Sequence, residues 1–464
     1  MSRFNTSKVL VKTAPTALDP GVPIAPPAVS AAPSPVARSP LILDPAPSDV
    51  SLMQRVGFGL FCVLMLSGFA NEFAMRAFHV KAYVSTVSWV LLPLLLALSG
   101  NLLRGLRDIT GRLWFLFLAW IVLAVPFSVW KGGSVTLLLN YLPHGWILLF
   151  YCSSFLISFR HCRRFLYFVI ASNFTLLLDC FLFGAVNDGR FDIPNSIFFT
   201  NANDLALQLL IAITQFMYLL YQRQVWKQAA GAIGILIALI YLLRTGSRGA
   251  FLATLILVLV CIAIGRNRTR LLIIGVPVAI AALVLVPSSA FHRLSLIALA
   301  PETITIGEST DIGAVASQVQ RMALFRQSLT YALTHPLFGV GPGQFAVAAF
   351  GDAEKTGTRA NWLGTHNSYT QVASECGIPA FILYVSVIGI ALVSSFRIFR
   401  RTSRWAEHAD LNAMAFCYFC ATLAYAIATF FFHIAYSSYL PGLAGMVLAL
   451  RLCTSPRLWS SRPQ

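Results

Sequence analysis

The stretch WKQAAGAIGILIALIYLLRTGSRGAFLATLILVLVCIAIG, residues 226–265, decides the fold class of this chain. It contains two apolar runs, 226–243 and 249–265, each close to the ~20 residues with which a helix crosses a bilayer. A short turn that carries two arginines separates them. The pattern therefore predicts a hairpin of two transmembrane helices.

The rest of the chain repeats this pattern. Of its 464 residues, 57% are hydrophobic and 11% are charged, against about 25% charged in a soluble domain. The mean hydropathy is +0.74. So much apolar surface exceeds what one soluble core can bury, which excludes a soluble enzyme and predicts an all-α polytopic membrane protein with about twelve transmembrane helices. The predicted spans are 53–71, 83–100, 113–130, 135–158, 165–184, 204–221, 226–243, 249–265, 271–287, 378–396, 412–433 and 437–452.

The charge of the chain is strongly basic, with 34 Lys and Arg residues against 17 Asp and Glu and a net charge of +17. When both termini are placed in the cytoplasm, roughly two thirds of the basic residues fall on the cytoplasmic side, as the positive-inside rule requires. Membrane topology therefore explains much of the charge. No nucleic-acid partner is needed to account for it.

The chain is predicted to divide into five parts. Residues 1–50 are rich in Pro and Ala and predict a disordered cytosolic tail. The remaining parts are transmembrane helices 1 to 9 in 51–287, an outer loop at 288–377, transmembrane helices 10 to 12 in 378–453, and a second cytosolic tail at 454–464.

The outer loop is much longer than the other connections, and long segments of this kind are usually functional or disordered. From Val315 to Leu333 its apolar residues recur at helical spacing, which predicts an amphipathic helix at the membrane surface. His335 and Pro336 are predicted to end it, because a residue before proline disfavours the helical conformation.

Two arginines lie in the turn of the quoted hairpin, on the predicted outer side. Arg244 and Arg248 run against the charge bias, and guanidinium groups suit bidentate contact with phosphate. Gly246 permits the tight turn, and Ser247 is predicted to cap the next helix, whose N–H groups also attract anions. The alternative is that both arginines anchor helix ends by snorkelling.

The outer loop adds further candidates. Arg321 and Arg326 can join the same anionic site, with contact to lipid headgroups as the alternative. His366 precedes the next membrane span, where a neutral imidazole can take a proton from a sugar hydroxyl. Asn367 and Ser368 are candidates to orient it. The alternative is that His366 is only a hydrated polar residue at the interface.

The glycine-rich stretch from Gly339 to Gly343 resembles a phosphate-binding loop only superficially. No strand is predicted before it, and Pro342 has no N–H where such a loop needs one. A rigid turn is therefore the better prediction.

Two ionisable residues, Asp179 and His144, fall inside predicted spans, where such groups are functional candidates by default. Polar partners within the helix bundle are the favoured explanation for both. Asp352 and Glu354 form the only close acidic pair on the predicted outer surface, and a metal site needs more clustered carboxylates. No metal site and no cofactor are predicted.

Four segments together resemble the O-antigen ligase and O-antigen polymerase superfamily of bacterial envelope glycan enzymes. They are Asn201-Ala-Asn203-Asp-Leu-Ala206; the turn Ser247-Arg-Gly-Ala250; Arg321-Met-Ala-Leu-Phe325 leading into His335-Pro-Leu-Phe-Gly-Val-Gly-Pro-Gly-Gln-Phe345; and His366-Asn-Ser-Tyr369 followed by Glu375-Cys-Gly-Ile-Pro379. Each is short, but their order and their placement around one outer loop are specific. The chain departs from the common pattern at Ala202 and Ala380, where the family often has Pro and Gly.

The resemblance implies a GT-C-like glycosyltransferase of the bacterial inner membrane that acts at the periplasmic face, in lipopolysaccharide or exopolysaccharide synthesis. The donor is then a glycan on undecaprenyl pyrophosphate, and the acceptor is a hydroxyl of a glycan, a lipid A core sugar or a protein, with no metal or nucleotide sugar. Matched position by position, the implied catalytic residues are Arg248, Arg321 and His366. The further substrate-binding candidates are Arg244, Arg326, Asn203 and Asn367.

Two alternatives remain open from the sequence. A polymerase of the same superfamily differs from a ligase only in its acceptor. A twelve-span transporter with Asp179 as a proton or substrate site is more remote, because the expected matching halves and short loops are missing.

Overall fold

The structure, a computed structural model, describes residues 50–81, 83–142, 147–187, 189–265, 309–357 and 362–454, with isolated positions at 42, 145, 275, 276, 280 and 284. The predicted cytosolic tails and the predicted span 271–287 lie almost wholly outside these residues, as does His144. The helices and strands are α1 (Leu52–Phe78), α2 (Val84–Leu98), α3 (Ile109–Ala124), α4 (Lys131–Tyr141), α5 (Ile147–Phe155), α6 (Phe159–Phe183), β1 (Ala185–Asn187), β2 (Arg190–Asp192), α7 (Ala202–Leu220), α8 (Val225–Arg244), α9 (Arg248–Ile264), α10 (Ser309–Thr334), α11 (Phe345–Thr356), α12 (Ser368–Thr402), α13 (Ala409–Ala428) and α14 (Tyr439–Leu452).

The described part of the chain is mostly helical, and seven of its helical segments are long and apolar enough to cross a membrane. These segments contain α1, α3, α6, α7, α8, α12 and α13, and three shorter apolar helices are α2, α9 and α14. These helices are consistent with the predicted polytopic, predominantly helical membrane protein, although the short antiparallel pair of β1 and β2 departs from a purely α-helical fold. The count of twelve spans and the outer placement of the long loop stay predictions.

Two helices form the centre of the bundle. Along α7 and α13 most residues are buried, whereas most residues of α1 and α8 are only partly buried or exposed. α13 is rich in alanine, and small residues allow membrane helices to approach closely. α7 packs against α8 and α13, and α13 also packs against α12 and α14. The exposed apolar faces of the outer helices are what a lipid environment would cover.

Two helix boundaries near the predicted outer face differ from the sequence prediction. α13 ends at Ala428, although a span over 412–433 is predicted, so Phe430, Phe431 and Phe432 belong to the loop that leads to α14. α12 begins at Ser368, ten residues before the predicted span, and Gly377 interrupts it with φ of 85° and ψ of 173°. Apolar composition alone therefore predicts the end of a membrane helix poorly where an aromatic loop packs onto that end.

The helix predicted in the long loop is confirmed as α10, which ends at Thr334 directly before His335 and Pro336. Its apolar stripe is not the face that packs on the protein, because Met322 and Leu333 are exposed. The packed face instead carries Leu324 and Tyr331, and α10 lies against α12.

Candidate active site

The turn between α8 and α9 places two arginines at neighbouring helix ends. α8 ends at Arg244 and α9 begins at Arg248, and Gly246 between them has a φ of 60°. The prediction that Ser247 caps α9 is wrong. Ser247 occupies the N-cap position, but its hydroxyl makes no capping hydrogen bond. The turn is closed instead by Thr245, whose Oγ1 accepts the Ser247 N–H at 3.2 Å.

Arg190 joins this turn to the start of α7. Its Nε donates to the carbonyl oxygen of Thr245 at 2.9 Å, and its Nη2 donates to Oδ1 of Asn203 at 2.6 Å. Asn203, a predicted substrate contact, therefore has its side-chain oxygen occupied by an arginine of the protein itself. Arg190 was missed by sequence analysis, because a single arginine between two spans carries no local signal of its partner.

Arg244 lies against the same hairpin of β1 and β2. Its guanidinium carbon is 5.2 Å from the ring centroid of Phe191, within the range of a cation–π contact. Its Nε is buried and forms no hydrogen bond with the residues that the structure describes. The contact with Phe191 therefore positions the guanidinium, while its Nε donor stays without a hydrogen bond among the described residues.

α10 separates the two arginines predicted on the long loop. Positions five apart on a helix differ by about 140° in direction. Arg326 is exposed, whereas Arg321 is partly buried on the side of Leu324 and Ser328. The helix thus brings Arg321 toward the bundle and leaves Arg326 apart from it, and substrate binding by Arg326 stays a prediction.

His366 lies in the loop that leads into α12 and is partly buried. Its φ of 51° is in the left-handed region, which non-glycine residues adopt rarely and often at functional sites. The side-chain oxygen of Asn367 is engaged within the protein and not directed to a ligand. Its Oδ1 caps α12, accepting the N–H groups of Tyr369 at 2.9 Å and Thr370 at 3.1 Å.

A second histidine meets His366. The rings of His366 and His433 lie edge to face, with their centroids 5.0 Å apart and their planes at 90°. His433 is not apparent as a site residue in the sequence, because the phenylalanines before it extend the predicted span 412–433 to include it. Its presence in the loop between α13 and α14 follows from the early end of α13.

Electrostatic coupling links the three residues predicted to be catalytic. Burial and the positive charge of Arg248 lower the pKa of Arg321. Burial, His433 and Arg321, in that order, lower the pKa of His366 to about 4. His366 is therefore neutral near pH 7, the form in which an imidazole accepts a proton. The structure brings together two guanidinium groups and one neutral imidazole.

The glycine-rich stretch forms a turn, as predicted, and holds a carboxylate of the protein. Gly339, Gly341 and Gly343 have φ of 65°, 113° and 74°. The N–H of Gly343 donates to Oε2 of Glu375 at 3.0 Å, and that of Phe345 donates to Oε1 at 3.2 Å. The amides that superficially suggest phosphate binding thus bind Glu375, which lies on α12.

The remaining ionisable candidates lie apart from this cluster. Asp179 is buried in α6, and neither of its carboxylate oxygens forms a hydrogen bond with the described residues. Its favoured explanation, a polar partner in the bundle, therefore finds no hydrogen-bond support. Asp352 accepts a hydrogen bond from the Tyr331 hydroxyl at 2.8 Å and pairs with Lys355 at 3.2 Å. Within the described residues, no three His, Cys, Asp or Glu side chains are grouped as metal ligands.

Comparison with protein families identifies the segment that carries most of this cluster. Residues 232–385 match the family described as O-antigen ligase. The segment includes Arg248, Arg321 and His366, whereas Asn203 precedes it and His433 follows it. No curated protein matches the chain. The match over residues 232–385 supports the O-antigen ligase and polymerase superfamily that the sequence motifs predict.

Proposed function

We propose that the protein is a membrane glycosyltransferase of the O-antigen ligase type. It moves a glycan from undecaprenyl pyrophosphate onto an acceptor hydroxyl at the periplasmic face of the bacterial inner membrane. The observation that carries the proposal is the electrostatic proximity of Arg248, Arg321 and His366. Two cations and a neutral base suit a reaction that releases a pyrophosphate and consumes a hydroxyl proton.

The two guanidinium groups act on the donor. The pyrophosphate lies against Arg248 and Arg321, and negative charge builds on its oxygen as the bond to the sugar C1 breaks. Two fixed cations stabilise that charge more in the transition state than in the ground state, which accelerates the reaction. Burial lowers the pKa of Arg321 and repulsion from Arg248 lowers it further, and an anion bound between the two arginines relieves that repulsion. This charge arrangement favours a metal-independent reaction.

His366 acts on the acceptor. Its neutral imidazole accepts the hydroxyl proton while the acceptor oxygen forms a bond to C1 from the side opposite the leaving group. The C1–O bond to the pyrophosphate breaks, and its electron pair stays on the leaving oxygen. The products are the glycosylated acceptor and undecaprenyl pyrophosphate, and the configuration at C1 is inverted.

A polymerase of the same superfamily is the second candidate, because the match over residues 232–385 leaves the acceptor open. A deletion strain separates the two. Full-length polymer that remains on undecaprenyl pyrophosphate supports a ligase. Single repeat units attached to the final acceptor, without polymer, support a polymerase.

Purified protein tests the proposal itself. In lipid nanodiscs with a lipid-linked glycan and an acceptor, the protein should release undecaprenyl pyrophosphate in proportion to the glycan transferred. Solute transport by the protein in liposomes, with no glycan transfer, would overturn the proposal and favour the transporter hypothesis.

A further inference from the structure

His433 lies on the loop between α13 and α14, outside the family segment, and makes the ring contact with His366 described above. It is exposed to solvent, whereas His366 is partly buried. The contact therefore joins a partly buried imidazole to one that is open to solvent.

The segment around His366 fixes the backbone on both sides of His433. Oγ of Ser368 donates to the carbonyl oxygen of Phe432 at 2.6 Å and accepts the N–H of Ile434 at 2.9 Å. Ser368 thus bonds the residues directly before and after His433.

A glycine gives the His433 ring its space. A Cβ atom on Gly364 would lie 2.7 Å from Cδ2 of His433, closer than real Cβ contacts. The loop that carries His366 is therefore shaped to admit the second ring, and the pairing of the two histidines is built into the fold.

The charges around the pair differ at its two ends. Burial of each ring disfavours a positive charge on it, although part of His433 is open to solvent, and Arg321 on α10 disfavours the charge further on both rings. Asp204, in the first turn of α7, favours a positive charge on His433. Of the two histidines, His433 is the one that has an acidic neighbour and is open to solvent.

We propose that His433 is a proton relay, which accepts from His366 the proton taken from the acceptor hydroxyl and releases it to water. This inference rests on the proposed function. One proton leaves the hydroxyl, passes from a nitrogen of His366 through one bridging water to a nitrogen of His433, and enters solvent. His366 returns to its neutral form, and no oxidant or further reactant is needed.

The test uses His433→Asn and His433→Gln in the full-length protein, with His335→Asn as the matched control. His335 is also exposed, but it lies at the end of α10 beside Thr334. We expect kcat to fall at least about tenfold in both His433 variants, with KM for donor and acceptor unchanged, because a lost proton acceptor slows the chemical step alone. His335→Asn should keep the wild-type kcat.

Chemical rescue distinguishes a relay from a structural role. Added imidazole should restore kcat of the His433 variants, whereas a non-buffering salt of the same ionic strength should not, and wild-type kcat should respond to neither. Wild-type kcat in both His433 variants, or a loss that imidazole does not restore, would overturn the relay. Absence of transfer by the wild-type protein would instead contradict the proposed function.

Discussion

The carboxylate of Glu375 is bonded to the backbone of Gly343, whose N–H donates to Oε2 at 3.0 Å. Two backbone hydrogen bonds join the same segments. The Val340 N–H donates to the Ser374 carbonyl oxygen at 2.8 Å, and the Gly341 N–H donates to the Glu375 carbonyl oxygen at 3.0 Å. The turn that follows α10 is thereby fastened to α12. Since α10 carries Arg321 and the start of α12 adjoins His366, this attachment sets their relative positions.

Glu375→Gln should weaken the attachment. An amide NH₂ in place of one carboxylate oxygen would face a backbone N–H, which leaves a buried donor without an acceptor at a cost of about 1–3 kcal/mol. We expect a lower Tm in detergent and slower glycan transfer. Asp352→Asn is the control, because Asp352 is an exposed carboxylate that also accepts a side-chain hydrogen bond. Equal Tm values for the two variants would contradict this role of Glu375.

Gly377→Ala should be strongly disruptive. The φ of Gly377 is 85°, and an added Cβ would lie 2.0 Å from the carbonyl oxygen of Leu337, a rigid backbone atom. Gly389→Ala on the same helix is the matched control, since nothing lies within 4 Å of its added Cβ and alanine favours a helix. We expect loss of folded protein, measured by size-exclusion chromatography, for Gly377→Ala only. A monodisperse and active Gly377→Ala protein would show that the break in α12 is not required.

Arg248→Lys and Arg321→Lys should each lower kcat by about tenfold or more, because an ammonium group lacks the planar fork that contacts two phosphate oxygens. Arg326→Lys is the control on α10, where the side chain is exposed and directed away from Arg321. Its kcat should stay at the wild-type value. If Arg326→Lys is impaired as much as Arg321→Lys, the loss is not specific to Arg321 and its assignment to the site is contradicted.

The pKa of His366, lowered to about 4 mainly by burial, gives a pH prediction with a defined sign. In the unfolded chain the imidazole has a pKa near 6.5, so the unfolded state takes up the proton first as the pH falls. His366 therefore contributes to stability above about pH 6.5, and this contribution is lost progressively toward about pH 4. The Tm of the wild type should fall more steeply over this range than that of His366→Asn. Parallel Tm curves would contradict the lowered pKa.

The sequence predicts the helices well where apolar runs are long and uninterrupted, as in α8 and α9. It also predicts Arg248, Arg321 and His366 as catalytic residues, because each lies in a short motif on the predicted outer side, and these roles stay predictions. Asn203 and Asn367 illustrate the limit. Asparagine at a helix start suits both capping and ligand binding, and the structure uses the oxygen of one to hold Arg190 and that of the other to cap α12.

His433 and Glu375 show what sequence patterns cannot supply. The role of Glu375 depends on the turn at Gly343, 32 residues earlier in the chain. No local periodicity of the sequence connects the two residues. His433 follows a run of phenylalanines that matches a membrane span in composition. The position of His433 depends on Ser368, whose hydroxyl bonds the neighbouring Ile434, 66 residues later in the chain. The contact of His433 with His366 is therefore apparent only when the start of α12 and the loop between α13 and α14 are packed together.

The most direct test of the account is single-turnover glycan transfer by purified wild-type protein and His366→Asn in nanodiscs, with a defined glycan on undecaprenyl pyrophosphate and an excess of acceptor. Donor binding and Tm are measured on the same samples to establish that the variant is folded. We predict that the wild type forms product of inverted configuration, whereas His366→Asn binds the donor but transfers at least about a hundredfold more slowly. Transfer by folded His366→Asn at the wild-type rate would contradict the account.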